Sequence, residues 1–180
     1  MKKIILIIGL LFSVIVAKDL NLKELETNCN DGDIESCSDI GFLYLQGEGV
    51  KQDYQKAAEL FKKACDGSSR SDCFILANLY RDGKGVEQNY QKAAKLYQKS
   101  CNNGEMYSCN FLGKLYATGK GVRQDYQKAF KLYQEEHSIK NISVDKITNI
   151  PGHGIKATIN KKEYLLFNQL RFTIAKLKNL

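Results

Sequence analysis

G-K-G-V-E-Q-N-Y-Q-K-A-A-K-L-Y-Q-K-S-C, Gly83 to Cys101, decides the fold because the chain carries it three times. The earlier copy, Gly47 to Cys65, reads G-E-G-V-K-Q-D-Y-Q-K-A-A-E-L-F-K-K-A-C. The later copy, Gly119 to His137, reads G-K-G-V-R-Q-D-Y-Q-K-A-F-K-L-Y-Q-E-E-H. Each copy is displaced by 36 residues from the last. That period belongs to repeat arrays, whose units bury a continuous core only by stacking on their neighbours.

The chemistry inside one copy predicts its conformation. The first glycine accepts the left-handed backbone that ends a helix, and the second lets the chain turn tightly. Val50, the one apolar residue of the first loop, is expected to plug between helices. Asp53, Asn89 and Asp125 are good N-caps for the helix that follows each loop. On that helix Tyr54, Ala57, Ala58, Phe61 and Cys65 fall on one face, and the paired alanines allow close helix approach. Upstream, Cys37, Ile40, Gly41 and Tyr44 share a face, as do Leu22, Leu25 and Cys29 before the turn at Asn30 to Asp33. Each repeat therefore reads as helix, glycine loop, second helix and short turn. The fold class is all-α, an α/α solenoid over residues 18–137. An N-terminal helix leads into repeats at 33–68, 69–104 and 105–137.

The six cysteines, at 29, 37, 65, 73, 101 and 109, form three pairs of spacing eight. Each pair straddles a short turn, about one helical turn to either side, where an antiparallel helix pair brings residues opposite each other. Disulfides Cys29–Cys37, Cys65–Cys73 and Cys101–Cys109 are expected, each tying one repeat's second helix to the next repeat's first. Metal ligation is the alternative; it lacks a C-x-x-C and has only His137 and His153 to draw on. No metal or other cofactor is expected. In the third copy His137 stands where a cysteine is due and Phe130 replaces the second alanine, so the array is expected to finish near residue 137.

The N-terminus supports an oxidising destination. Met1-Lys2-Lys3 is a positive n-region, Ile4 to Val16 an apolar run broken only by Gly9 and Ser13, and Ala17 a small residue at a cut site. The run is shorter than the roughly 20 apolar residues of a bilayer span, so residues 1–17 read as a signal peptide with no stable span after cleavage. Secreted or periplasmic localisation follows. The net charge of +7 is unevenly placed. Residues 18–137 carry 17 basic and 18 acidic side chains, and residues 138–180 eight basic and two acidic. A near-neutral array lacks the basic face that a nucleic-acid partner requires.

Residues 138–180 form a non-repeat basic tail. Between Ile142 and Leu166 short β-prone runs alternate with turn residues, and Ile155, Ala157 and Ile159 alternate with Lys156, Thr158 and Asn160. Asn160-Lys161-Lys162 then serves as a turn before Glu163–Phe167, giving a β-hairpin. Leu170 to Leu180 fits a short basic helix.

Catalytic signals are sparse. Ser143-Val-Asp-Lys146 is the one S-x-x-K, it lies outside the repeats, and neither S-D-N nor K-T-G accompanies it. The catalytic residues are therefore unknown from the sequence. The G-x-G elements lack a preceding strand and a G-K-[ST], which makes them helix-terminating loops rather than phosphate loops. Tyr44, Tyr80 and Tyr116 recur at the repeat period, in core packing or as an aromatic ladder. Asp39, Leu43, Asn78, Arg81 and Lys114 on the first helices are candidates for a concave binding face.

The unit L-Y-x-x-G-x-G-V-x-Q-D-Y-x-K-A closely resembles the Sel1-like repeat over residues 22–137. With a cysteine pair per repeat and a signal peptide, it looks like the Helicobacter cysteine-rich proteins, a secreted family classed as β-lactamases. That resemblance implies an α/α solenoid that binds and slowly hydrolyses penicillin-type β-lactams. Sel1-like repeats more broadly imply an adaptor whose partner is a protein or a cell-wall peptide. Ile150 to Asn168 separately resembles part of the nucleotide-binding domain of heavy-metal P-type ATPases, with Gly152 and Gly154 in its G-x-G. Phe167 stands where such proteins have glycine and a D-K-T-G segment is missing, so a remnant is expected rather than a pump.

Overall fold

The computed structural model describes residues 22–136, 146–150, 154–159 and 162–166. The segment 1–17, His137, Ser143, His153 and the stretch Leu170 to Leu180 lie outside the described residues. The chain divides between Gln88 and Asn89 into two compact units.

The first unit contains helices α1 (residues 22–30), α2 (Ile34–Gln46), α3 (Tyr54–Asp66) and α4 (Arg70–Asp82). Side-chain caps fix the starts of α2 and α3. Asp53 accepts the N–H groups of Gln55 and Lys56, both at 3.0 Å. Asp33 accepts the Ser36 N–H at 3.1 Å and also the Ser36 hydroxyl. A cap of this kind stabilises a helix by about 1 kcal/mol. What holds α2 to α3 is a socket. Phe61 is fully buried and its ring faces Gly41, where an added Cβ would lie 2.9 Å from it. Glycine at 41 thus lets the aromatic reach the neighbouring backbone, and burying such a ring contributes roughly 1.5–3 kcal/mol. Phe42 meets Phe61 edge-on at 5.2 Å between centroids. Cys29, Cys37, Ile40 and Ala64 form the core beside them, flanked by Leu22, Leu25 and Leu60.

The second unit repeats this grammar with α5 (Tyr90–Asn102), α6 (Met106–Thr118) and α7 (Tyr126–Glu136). Asn89 caps α5 through the Lys92 N–H at 2.9 Å, and Asp125 takes the Lys128 N–H at 2.9 Å. Gly113 and Tyr133 restate the socket, with an added Cβ 2.7 Å from the ring. Tyr97, fully buried, stacks on Phe111 at 5.5 Å.

Beyond α7 the chain forms an antiparallel sheet in the order β1 (Lys146–Ile150), β2 (Gly154–Ile159), β3 (Lys162–Leu166). β2 pairs with β3 from Ile155↔Leu166 to Ile159↔Lys162, the hairpin that the alternation at 155–160 predicts. β1 adds a strand that the sequence leaves unassigned, in register from Lys146↔Thr158 to Ile150↔Gly154, and it packs beside α7.

Three disulfides join consecutive helices at their turns: Cys29–Cys37 between α1 and α2, Cys65–Cys73 between α3 and α4, and Cys101–Cys109 between α5 and α6. Their Cα atoms lie 4.7, 4.6 and 4.8 Å apart. Among the described residues no helix is long and apolar enough to cross a membrane.

Candidate functional site

The recurring motif is the obvious place to look for function, and its geometry is structural. Gly83 takes φ 67° as the C-cap of α4, and its N–H bonds the carbonyl of Leu79. Gly85, also at positive φ, lies against the start of α3: an added Cβ would sit 2.2 Å from the carbonyl carbon and oxygen of Tyr54. The second glycine is therefore more than a tight turn. It is the point where one repeat's loop touches the backbone of the preceding repeat, and Gly121 meets the Tyr90 backbone in the same way at 2.3 Å. The glutamine of the motif closes the loop from the other side. Gln52, Gln88 and Gln124 donate their side-chain N–H to the carbonyls of Leu45, Arg81 and Ala117 at 2.9, 2.8 and 2.9 Å. Each satisfies an acceptor that the helix end leaves open.

The periodic tyrosines are only half-buried. Lys56 lies over the Tyr44 ring at 4.8 Å and Lys128 over Tyr116 at 4.4 Å. Loop lysines do the same to the first tyrosine of the second helices, Lys84 over Tyr54 at 5.7 Å and Lys120 over Tyr90 at 5.5 Å. Each is a cation held on a ring face, worth about 0.5–1 kcal/mol at an exposed site. Tyr44 packs with its other side against the core of Cys29, Cys37, Ile40 and Ala64, and Tyr116 lines a surface groove. The loop valines Val50, Val86 and Val122 are likewise half-buried.

Two concavities stand out. One, of about 390 Å³, lies between α5 and the loop after α6, lined by Gln91, Ala94, Lys95, Gln98, Tyr116 and Val122, with Gly121 at its floor. The other, of about 640 Å³, opens where the N-termini of α2 and α4 meet, and carries Asp33, Glu35, Asp39 and Asp72 with the hydroxyls of Ser38 and Ser69. Asp72 is 1% exposed and accepts the Ser38 hydroxyl at 2.8 Å. The Ser36 hydroxyl and N–H hold the Asp33 carboxyl below its usual range. Arg81, hydrogen-bonded to Asp82 at 2.7 Å, does the same for that carboxyl. Among the described residues no group of three or more His, Cys, Asp or Glu side chains is placed to hold a metal ion.

The surface candidates of the first helices scatter. Asp39 and Lys114 are exposed, and Leu43 and Asn78 are half-buried. Arg81 is engaged with Asp82, and Lys114 lies over the Phe111 ring at 4.8 Å. Of the S-x-x-K, Lys146 is exposed at the head of β1, while Ser143 is outside the described residues. Gly154 begins β2; Gly152 and Phe167 are also outside. Sequence reasoning missed one buried polar set. Ser36, Asp72 and Ser108 each precede the second cysteine of a bridge, all buried; Ser108 donates to Ser100 at 2.7 Å. Their signal was in plain view, a polar residue recurring every 36 positions beside a half-cystine.

Comparison with known proteins adds the following. The model of the Sel1 repeat matches residues 34–69, 71–105 and 107–135. The solved structure of c5321, a protective antigen of uropathogenic Escherichia coli with an SLR fold, is similar at 30% identity and a TM-score of 0.63. A Sel1 repeat protein from Oxalobacter formigenes is similar at 28% identity and a TM-score of 0.60. Each similarity covers 67% of this chain, which spans 26% of the first protein and 49% of the second. Helicobacter pylori cysteine rich protein B is similar at 27% identity and a TM-score of 0.51, over 67% of this chain and 91% of that one. No curated protein matches the chain.

Proposed function

The chain belongs to the Sel1 repeat family, and from that premise we propose that it is an exported scaffold that binds a protein or cell-wall peptide. The observation that carries this reading is a division of labour between repeat positions. The repeated glycines, the Asp or Asn before each second helix, the loop glutamines and the paired small residues cap helices, close loops or fill the core. Exposed positions exchange charge: Glu48, Lys84 and Lys120; Lys51, Glu87 and Arg123; Glu59, Lys95 and Lys131. One backbone thus presents a different electrostatic surface at each repeat, which suits selection of a partner. Export as a disulfide-bonded protein, through residues 1–17, belongs to the same reading, as does the boundary between the array at 18–137 and the tail.

A second reading, binding and slow hydrolysis of penicillin-type β-lactams, is supported by the resemblance to the Helicobacter cysteine-rich proteins. Local chemistry favours the scaffold. The Ser36 and Ser38 hydroxyls donate to the carboxylates of Asp33 and Asp72, and Ser108 to Ser100, contacts that fix helix ends and turns. The purified oxidised protein should leave a chromogenic cephalosporin intact and take no covalent label from a fluorescent penicillin. Turnover together with labelling would replace the scaffold reading with the enzyme reading.

A further inference from the structure

We propose that the groove between α5 and the loop after α6 is the contact site for an acidic, extended peptide segment of the partner. The inference rests on the scaffold reading and assigns it a place and a ligand chemistry. The groove, about 390 Å³, is comparable to sites that hold a few side chains rather than a folded surface. Its wall is apolar and aromatic, from Ala94, Val122 and Tyr116. Gln91 and Gln98 add carboxamides, which both donate and accept and so match the N–H and C=O groups of an extended backbone.

Charge selects the ligand. Lys95 is the one charged residue in the lining, Lys128 lies over Tyr116 at 4.4 Å, Lys120 lies over Tyr90 at 5.5 Å, and Arg123 is exposed on the same loop. The loop's own acid, Asp125, is turned into the start of α7, where it accepts the Lys128 N–H. A carboxylate placed over Tyr116 therefore meets several cations and no competing anion of the lining. A polyanion such as single-stranded nucleic acid shares the charge but is disfavoured by the near-neutral array, with 17 basic and 18 acidic residues in 18–137. The preceding repeat holds Glu59 and Glu87 where Lys95 and Arg123 stand here, so its equivalent positions lack the net positive charge that favours an anion.

That internal difference supplies a test that leaves the fold intact. Lys95→Glu and Arg123→Glu install residues the same backbone already carries one repeat earlier. The full oxidised chain is titrated, by fluorescence anisotropy, into a labelled eight-residue peptide alternating aspartate and leucine, its lysine-for-aspartate counterpart and a labelled single-stranded oligonucleotide. The acidic peptide should bind in preference to the basic one, and the double variant should weaken it by about tenfold. Amide shifts on binding should centre on Gln91 to Gln98 and Tyr116 to Val122. Acidic-peptide binding that ignores the two substitutions overturns the groove and leaves the scaffold reading standing. No binding near millimolar peptide also overturns the groove, as does tighter binding of the oligonucleotide. Absence of peptide binding combined with cephalosporin turnover removes the scaffold reading as well.

Discussion

Replacing each glycine of one loop by alanine separates two roles that share the same backbone angle. Gly83 and Gly85 have φ of 67° and 69°. An L-residue in that region costs about 1–2 kcal/mol, so both substitutions incur this penalty. They differ in what the new methyl meets. At Gly83 it would lie 3.2 Å from the Cβ of Gln88 and 3.5 Å from its backbone nitrogen, a contact tight by only a few tenths of an ångström. At Gly85 it would lie 2.2 Å from the Tyr54 carbonyl carbon and oxygen and 2.5 Å from the Gln55 nitrogen, all backbone of a capped helix. Non-bonded carbons settle near 3.5–4.0 Å, so the loop must retreat by more than about 1 Å from α3. Overpacking of that kind adds about 1–3 kcal/mol. Gly83→Ala should therefore lose about 1–2 kcal/mol and Gly85→Ala about 2–5 kcal/mol. Urea unfolding of the oxidised chain followed by far-ultraviolet circular dichroism gives both values, read from midpoints at unchanged slope. Equal losses, within about 0.5 kcal/mol, would show that the approach of the loop to α3 has no energetic content and that both glycines serve only the turn.

Two further outcomes follow from the bridges and caps. Proteolysis of the unreduced protein should release linked peptides 29/37, 65/73 and 101/109 and no other combination. Changing Cys65 and Cys73 together to serine should cost roughly 2–3 kcal/mol, because the loop they close is only nine residues long. A different set of linked peptides refutes the assigned pairing, and an unchanged melting curve refutes the role given to this bridge. Asp33 provides a pH signature. Its folded carboxyl titrates below the unfolded value of about 3.9, so its contribution is complete above that value and disappears as pH falls through the depressed one. Asp33→Asn keeps a capping side chain but cannot titrate, so its melting temperature should fall less than wild type between neutral pH and about pH 2.5. Parallel decline of the two proteins would mean that the Ser36 contacts do not act on the carboxylate.

What could be read from the sequence was chemistry that is local and repeated. Glycine at a helix end, Asp53 or Asn89 at a helix start and the i, i+3, i+4, i+7 stripes all act within a few residues, and the 36-residue period displays them three times. Contacts that cross the loop were not legible. Nothing in Gln88 itself says that its amide reaches back seven residues to Arg81, nor in Gly85 that its hydrogen faces Tyr54 more than thirty residues earlier. Those depend on how two helices cross, which propensity does not determine. The periodic tyrosines show the same limit. Hydrophobic spacing places Tyr44 and Tyr116 on the inner stripe, yet each ring keeps a face for a lysine from the next helix, Lys56 or Lys128. The groove was missed for that reason: half of it comes from a helix and half from a loop in the following repeat.

The bridges described above also bear on how the protein is made. With six cysteines, 15 complete pairings are possible, yet each bridge here joins a cysteine to the next one along the chain. A chain that enters an oxidising compartment N-terminus first therefore exposes the correct partner eight residues after the first thiol and 28 residues before any competitor. Oxidation can keep pace with emergence of the chain into that compartment, locking one helical corner before the thiols of the next arrive. The order of the sequence thereby does the sorting that scrambled cysteine frameworks leave to an isomerase.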